Sequence, residues 1–300
     1  MNILYKINPE LELKLMFYLR KGYKLDTENP KTYTEKINWM KLYYRNELIP
    51  KCVDKYTVRK YVQDCGCGDL LIDLIWDGFN AEDIPFDKLP NQFVIKVTHG
   101  SGNNIICKDK SKLNIQQTIR KLNKWIKETY IPCYGEWFYG VVKPRIIIEK
   151  FLSENDNEIP KDYKMFYFNN IDGKQDIAFT AVDIGRFVNH KRKIYDRNWS
   201  LIPDIYVNNS PYADNIDFKK PINYEYMVEC ARKLAKPFPH ARIDFYVVND
   251  KVYFGEITFM SDAGFGNIRP DSLNDKMGTW IKLPNKMEKK YDKSFNCCNN

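Results

Sequence analysis

The sequence predicts an α+β protein in which helices come first and largely antiparallel sheets follow. Three observations carry this reading. Roughly the first 65 residues have the apolar spacing of helices. From Leu70 onward, short apolar and alternating runs are interleaved with helical ones. Near the end, Arg242–Val248 and Val252–Thr258 flank Asn249-Asp250-Lys251. Asn and Asp tolerate the left-handed backbone of tight turns, so this stretch reads as a β-hairpin.

The elements follow in order. Pro9–Lys21, Thr34–Arg45 and Asp54–Gln63 read as helices, broken at Asn29-Pro30 and Ile49-Pro50. Leu70–Trp76 and Phe93–Val97 read as strands, with the loop Thr98–Asn104 and a short strand Asn104–Cys107 after them. Lys112–Tyr130 is an amphipathic helix. Arg145–Leu152, Tyr163–Phe168 and Ile177–Val182 are strands, with a polar loop at Ser153–Lys161. Arg197–Lys220 reads as irregular, Pro221–Lys236 as a helix and Asp271–Leu283 as a last helix. The organisation expected is a mainly helical region over 1–90, an α+β domain over 91–284 and a polar, fraying tail over 285–300.

Composition narrows the class. The chain has 300 residues, 44% hydrophobic and 29% charged, as in ordinary globular proteins. Its net charge of +8 suits a polyanionic partner. No basic block with interleaved glycines and no zinc spacing points to nucleic acid. The densest basic cluster is Arg186, His190, Lys191, Arg192 and Lys193, which equally fits a solvated loop. Eight scattered cysteines, with Cys65-Gly-Cys67 too tight for a redox or zinc pair, read as reduced thiols. With no signal peptide and no run of about 18 apolar residues, a cytoplasmic location is expected. Leu11–Tyr23, apolar with basic residues interspersed, leaves a peripheral membrane contact open beside the commoner reading of a core-packing helix.

Two segments carry chemistry. In the hairpin, a three-residue loop with Val248 opposite Val252 puts Tyr246 opposite Phe254, Asp244 opposite Glu256 and Arg242 opposite Thr258. Facing carboxylates repel. A divalent cation with oxygen ligands resolves that repulsion, and a nearby Arg suits a phosphate. A solvated sheet face with a local ion pair fits the same pattern, and a two-residue turn would separate the two carboxylates. The second segment is Gln92-Phe-Val-Ile-Lys96-Val-Thr-His-Gly100-Ser-Gly102. Lys96 inside an apolar strand calls for an anion, and a Gly-Ser-Gly turn can cradle phosphate oxygens. No Walker loop is present, and the glycine turn follows the strand lysine rather than preceding it as in kinases.

Taken in order, eight segments resemble the TupA-like group of the ATP-grasp superfamily, named for teichuronopeptide biosynthesis. They are Pro30–Trp39, Val53–Arg59, Leu89–Lys96, His99–Asn104, Ile148–Phe151, Asp162–Lys164, Arg242–Tyr246 and Phe254–Phe259. The resemblance implies ATP held between two α+β lobes. It implies phosphate contacts from Lys55 and Lys96, a phosphate loop at Gly100-Ser101-Gly102, and an adenine pocket along Glu149, Lys150, Phe151 and Leu152. Asp162 and Lys164 would reach the ribose or γ-phosphate. Asp244, Glu256 and Thr258 would hold Mg²⁺, with Mn²⁺ as the alternative, and Arg242 would steady the phosphate. Thr258 stands where many relatives carry Asn.

The chemistry implied is ligation, in which ATP converts a carboxylate to an acylphosphate and an amine displaces phosphate. Arg186 and Arg192 are assigned to the carboxylate or acylphosphate, and Ser261–Gly266 to closure over the same substrate. The expected partners are a small or lipid-linked glycan carboxylate and an amine or amino acid of bacterial surface-polysaccharide synthesis. Glycosyl transfer, phosphotransfer from the same ATP site and non-catalytic binding are the competing readings.

Overall fold

The computed structural model describes residues 2–100, 102–128, 134–153, 159–185, 189–203, 205–207 and 216–287. Ser101, Arg186 and most of the polar tail therefore lie outside the described residues. The chain opens with α1 (Asn2–Ile7), α2 (Pro9–Lys21), α3 (Tyr33–Tyr43), α4 (Leu48–Val53) and α5 (Thr57–Asp64). Local chemistry sets these bounds. Asn8 accepts from the Leu11 N–H at the start of α2, and Gly22 ends it in the left-handed region. Thr32 and Glu35 form a reciprocal capping box on α3.

A four-stranded antiparallel sheet follows, in the order β1 (Leu74–Gly78), β4 (Ile146–Lys150), β2 (Phe93–Val97), β3 (Asn104–Cys107). Helix α6 (Ile115–Trp125), shorter than the sequence predicts, covers it. Ile95, Val97, Ile146, Ile148 and Leu122 are fully buried in this small core. Lys96 points to the opposite face, as its place between buried neighbours requires. Residues 74–89 contribute to this sheet and core, so the 1–90 segment is shared between both lobes.

The second sheet has five antiparallel strands in the order β10 (Lys251–Thr258), β9 (His240–Val248), β5 (Asp162–Ile171), β6 (Lys174–Ile184), β7 (Lys191–Asp196). Helices α2–α5 and α7 (Tyr224–Ala235) share its large core, through Phe17, Ile37, Val62, Tyr224, Ile243 and Phe245. A two-stranded ribbon, β8 (Tyr206–Val207) with β11 (Ile268–Arg269), and helix α8 (Asp271–Thr279) complete the fold. The basic cluster is corrected here: Lys191–Asp196 is an edge strand with Arg192 and Lys193 buried, not a loop.

The hairpin turn is also corrected. Asn249 and Asp250 both have positive φ, and Val248 pairs with Lys251, which makes a two-residue turn. Tyr246 therefore meets Tyr253, not Phe254. The register then shifts between Phe254 and Glu256, where Gly255 forms a bulge. The extra residue returns Glu256 opposite Asp244 and Thr258 opposite Arg242. A Cβ on Gly255 would lie 2.9 Å from the Asp244 carbonyl oxygen, so the bulge needs glycine.

Candidate active site

One face of the five-stranded sheet carries charge in rows. The first row runs Arg192, Asp183, Asp162, Tyr246 across β7, β6, β5 and β9. The next runs Lys164, Asp244, Glu256 across β5, β9 and β10, and Arg242 pairs with Thr258 beyond it. Alternation along each strand keeps these rows on one face. The small sheet presents Lys96 and Glu149 to the cleft, on neighbouring strands.

Three adjoining cavities fill the cleft. The first is lined by Val94, Ile106, Phe151, Leu152 and Pro160, with Lys96, Glu149, Lys150, Asp162 and Asp183 as its polar groups. The second takes Lys55, Arg59, Lys96, Gly102, Asn104, Glu149 and Glu256. The third contains Lys55, His99, Gly100, Glu136, Tyr139, Arg242, Glu256, Thr258 and Asp262. Lys96, Asn104, Glu149 and Tyr246 join the first two, and Lys55 and Glu256 join the last two. An apolar chamber thus opens into a cationic one and then into an acceptor-rich one.

The second cavity is built for an anion. Glu149 receives Lys96 Nζ at 2.6 Å and Arg59 Nη1 at 3.2 Å, which fixes both cations at its wall. Lys55 Nζ donates to the Gly100 carbonyl oxygen at 2.8 Å. Burial lowers the Lys55 ammonium from its ordinary value, and Glu256 pulls it back up. Gly100 and Gly102 both have positive φ, with open space where a side chain would stand. Asn104 Oδ1 is buried at this wall and has no donor among the described residues. Three cations against two carboxylates, with bare glycine backbone beside them, fit a triphosphate.

Behind the junction lies a buried ion network. Arg242 donates to both Asp244 oxygens at 2.6 and 2.7 Å, to Glu256 at 3.1 Å, to Thr258 Oγ1 at 3.0 Å and to Ser261 Oγ at 3.2 Å. Lys164 donates to Asp244 at 2.7 Å and to Asp162. Burial raises the Asp244 carboxyl, but Arg242 and Lys164 overcome it and hold the group below the usual carboxylate range. For Arg242, burial is likewise outweighed by Asp244, and its pKa is raised.

This placement divides the expected metal set. The Glu256 carboxylate, with 43% side-chain exposure, opens onto both cavities, and Thr258 lines the third. Asp244, only 2% exposed, lies one layer beneath, with both oxygens engaged. Lys164 is also buried and braces Asp244. The donors are all hard oxygens, and Asp244 Oδ1, which accepts one hydrogen bond, retains a lone pair, so the set fits Mg²⁺ completed by substrate phosphates. Among the described residues no group of three or more His, Cys, Asp or Glu side chains is placed to hold a metal ion, so the set rests on two carboxylates and a hydroxyl.

Arg192, expected at the substrate carboxylate, is instead bidentate on Asp183 at 2.6 and 2.7 Å and donates to the Val207 carbonyl oxygen at 2.6 Å. It braces a wall of the first cavity. Burial raises Asp183, but Arg192 more than offsets this and holds it below the ordinary range. Lys150 lies at the exposed end of β4, 3.8 Å from Asp73.

The third cavity adds Glu136, which the sequence reading missed, to Asp262 of the Ser261–Gly266 segment expected over the substrate. Burial pushes the Glu136 carboxyl up to about 7 against the pull of Lys41. Asp262 is also raised, first by desolvation. Asp262, Ala263 and Gly264 are successive left-handed residues, a strained run held from below. Buried Lys41 donates to the Ala263 carbonyl oxygen, and Asn38 Nδ2 to that of Gly264 at 2.8 Å. His99 Nε2 lies 2.8 Å from the Glu128 carbonyl oxygen, which can only accept, so Nε2 carries a proton. In the neutral ring Nδ1 is then an acceptor, and it is buried without a partner among the described residues. The wall suits a ligand rich in N–H donors.

The sequence profile places the chain in the ATP-grasp superfamily. Within it, the chain belongs to the TupA-like ATPgrasp family, whose sequence profile matches residues 35–282. No curated protein matches the sequence. Among solved structures, an L-amino acid ligase from Bacillus licheniformis is similar at 12% identity, over 87% of this chain and 57% of its own, with a TM-score of 0.48. A D-alanine–D-alanine ligase from Helicobacter pylori is similar at 14% identity, over 82% and 67%, with a TM-score of 0.46. An ADP complex of N5-carboxyaminoimidazole ribonucleotide synthetase is similar at 13% identity, over 71% and 46%, with a TM-score of 0.44. The chain spans about half the length of that synthetase.

Proposed function

We propose that the protein is an ATP- and Mg²⁺-dependent ligase that joins a carboxylate to an amine through an acylphosphate. The carboxylate is a uronic acid or similar unit of a bacterial cell-surface polysaccharide. The observation that carries this is the junction: Lys55 and Glu256 stand where the cationic cavity meets the acceptor-rich one. A γ-phosphate at the end of the nucleotide site would lie there, within reach of a second substrate.

Adenine fits the apolar first cavity, and Lys55, Lys96 and Arg59 face the phosphates. Glu256 and Thr258, with Asp244 behind them, would hold Mg²⁺, which would neutralise phosphate charge and align the oxygens. A substrate carboxylate oxygen attacks the γ-phosphorus, and the bond to the β–γ bridging oxygen breaks with its electron pair leaving on ADP. Arg242 faces the charge that develops on the transferred group. An ammonium then gives up a proton to Glu136 or Asp262, its nitrogen attacks the acyl carbon, and the C–O bond to phosphate breaks, phosphate leaving with the nitrogen's second proton as hydrogen phosphate as the amide forms. No side-chain nucleophile takes part.

The test is ADP release from purified protein with Mg²⁺, ATP and a panel of sugar acids and amines. Release that requires both an acid and an amine, and that Glu256→Gln abolishes, supports ligation. A stable phosphorylated product without an amine requirement identifies phosphotransfer. Glycosyl transfer would appear as turnover of a nucleotide sugar with no ADP from ATP.

A further inference from the structure

The first two helices carry an apolar surface that the ATP site does not use. Ile3 and Ile7 on α1, and Leu11, Leu15, Tyr18 and Leu19 on α2, are between 40 and 77% exposed. Their spacing of three or four residues puts each group on one helix face. The opposite face of α2, with Leu13, Met16 and Phe17, is buried in the large core. Helix α2 is therefore apolar on two sides, which a helix lying only on a solvated surface is not.

Charge selects what covers the outer side. Between Asn2 and Leu25 stand five basic residues, Lys6, Lys14, Arg20, Lys21 and Lys24, and two acidic ones. One acid, Glu12, is completely buried, and the other, Glu10, is paired with Lys14 at 2.9 Å. Lys6, Arg20 and Lys24 are exposed. An exposed apolar face in a segment of net positive charge matches the interface of an anionic bilayer, where leucines enter the acyl boundary and lysines meet headgroups. A two-fold contact between copies would set the same cations against each other. Among the described residues no helix is long and apolar enough to cross a membrane, so the helices would lie on it.

We infer that α1 and α2 dock the protein on an anionic phospholipid surface through Ile3, Ile7, Leu11, Leu15, Tyr18 and Leu19. Through its other face, α2 adjoins the acceptor side of the cleft. Leu13 packs against Gly135, next to Glu136, and Lys21 Nζ donates to the Gly266 carbonyl oxygen at 2.9 Å, just beyond Asp262. Docking there would bring the third cavity close to substrates carried on a lipid.

The test is flotation of the full chain, without nucleotide, on phosphatidylcholine vesicles with and without added phosphatidylglycerol. The chain should float with the anionic vesicles, and less at high salt. The double variant Leu11→Gln, Leu19→Gln and the triple variant Lys6→Gln, Arg20→Gln, Lys24→Gln should each lower partitioning at least about tenfold. These residues lie outside the cleft, so circular dichroism and ATP binding should be unchanged. Absence of flotation, or equal flotation on neutral vesicles, overturns the proposal. So does a dimer in sedimentation velocity that the leucine variant dissociates, since the face then belongs to a second copy. Vesicle binding and ADP formation are read separately, so either reading can fail without the other.

Discussion

Glu12 is completely buried on α2, and neither carboxylate oxygen meets a donor among the described residues. Desolvation raises it from 4.5 to about 7, although Lys41 pulls the other way. A folded-state value above the unfolded one means that the unfolded chain loses its proton first. Stability is then fullest below about pH 4.5 and falls as pH rises to about 7, by up to about 3 kcal/mol. Glu12→Gln should raise the melting temperature at pH 8 relative to the parent and leave it level near pH 4 (as approximate buffer values); differential scanning fluorimetry at the two pH values checks this. Glu136 carries the same shift to a different end, since it faces the third cavity. It becomes anionic only as pH passes about 7. KM for the amine should therefore fall as pH rises through that value, and Glu136→Gln should flatten the profile while leaving ATP affinity intact. A Glu136→Gln profile that tracks the parent would remove this carboxyl from the amine site.

At the scale of elements, the hairpin decides whether the site exists. A two-residue turn alone would send Glu256 to the face opposite Asp244, and the bulge at Gly255 reverses that. Gly255→Val should cost about 1–3 kcal/mol by overpacking. It should also weaken Mg-ATP binding more than the stability loss explains, because relief of the clash with Asp244 O moves Glu256. Calorimetric titration of the folded variant checks this, and parent-like affinity would show that the bulge is not needed.

The hairpin also shows what a sequence can reveal. Strand alternation exposed Asp244 and Lys96 because each stands between apolar neighbours that fix its face, whereas Glu256 was set opposite Asp244 through a three-residue turn that the chain does not have. A single glycine within a strand has no local signature that separates a bulge from a regular residue. Arg192 read as a surface or substrate cation because its partner, Asp183, is on the neighbouring strand. Arg59 and Glu136 join the cleft only through contacts with residues far along the chain, Glu149 and Lys41 among them. Local pattern carries no trace of those meetings.

At the scale of the whole molecule, the candidate ATP site belongs to neither core alone. Lys96 and Glu149 stand on the small sheet and Glu256 on the large one, and the two cores are separate clusters. A nucleotide that spans the second cavity would couple the lobes, so Mg-ATP should stabilise both together. At about a hundred times its dissociation constant a ligand adds about 2.7 kcal/mol to the folded state. That gain should appear as one raised thermal transition and as slower proteolysis of segments in both lobes. Lys96→Ala and Glu256→Gln alter opposite lobes, and each should remove most of the gain in both. Cleavage rates in α6, which covers the small sheet, and at the β9–β10 turn would report the two lobes separately. If Lys96→Ala abolished protection of α6 alone, the nucleotide would be held by one lobe and the gripping arrangement would be wrong.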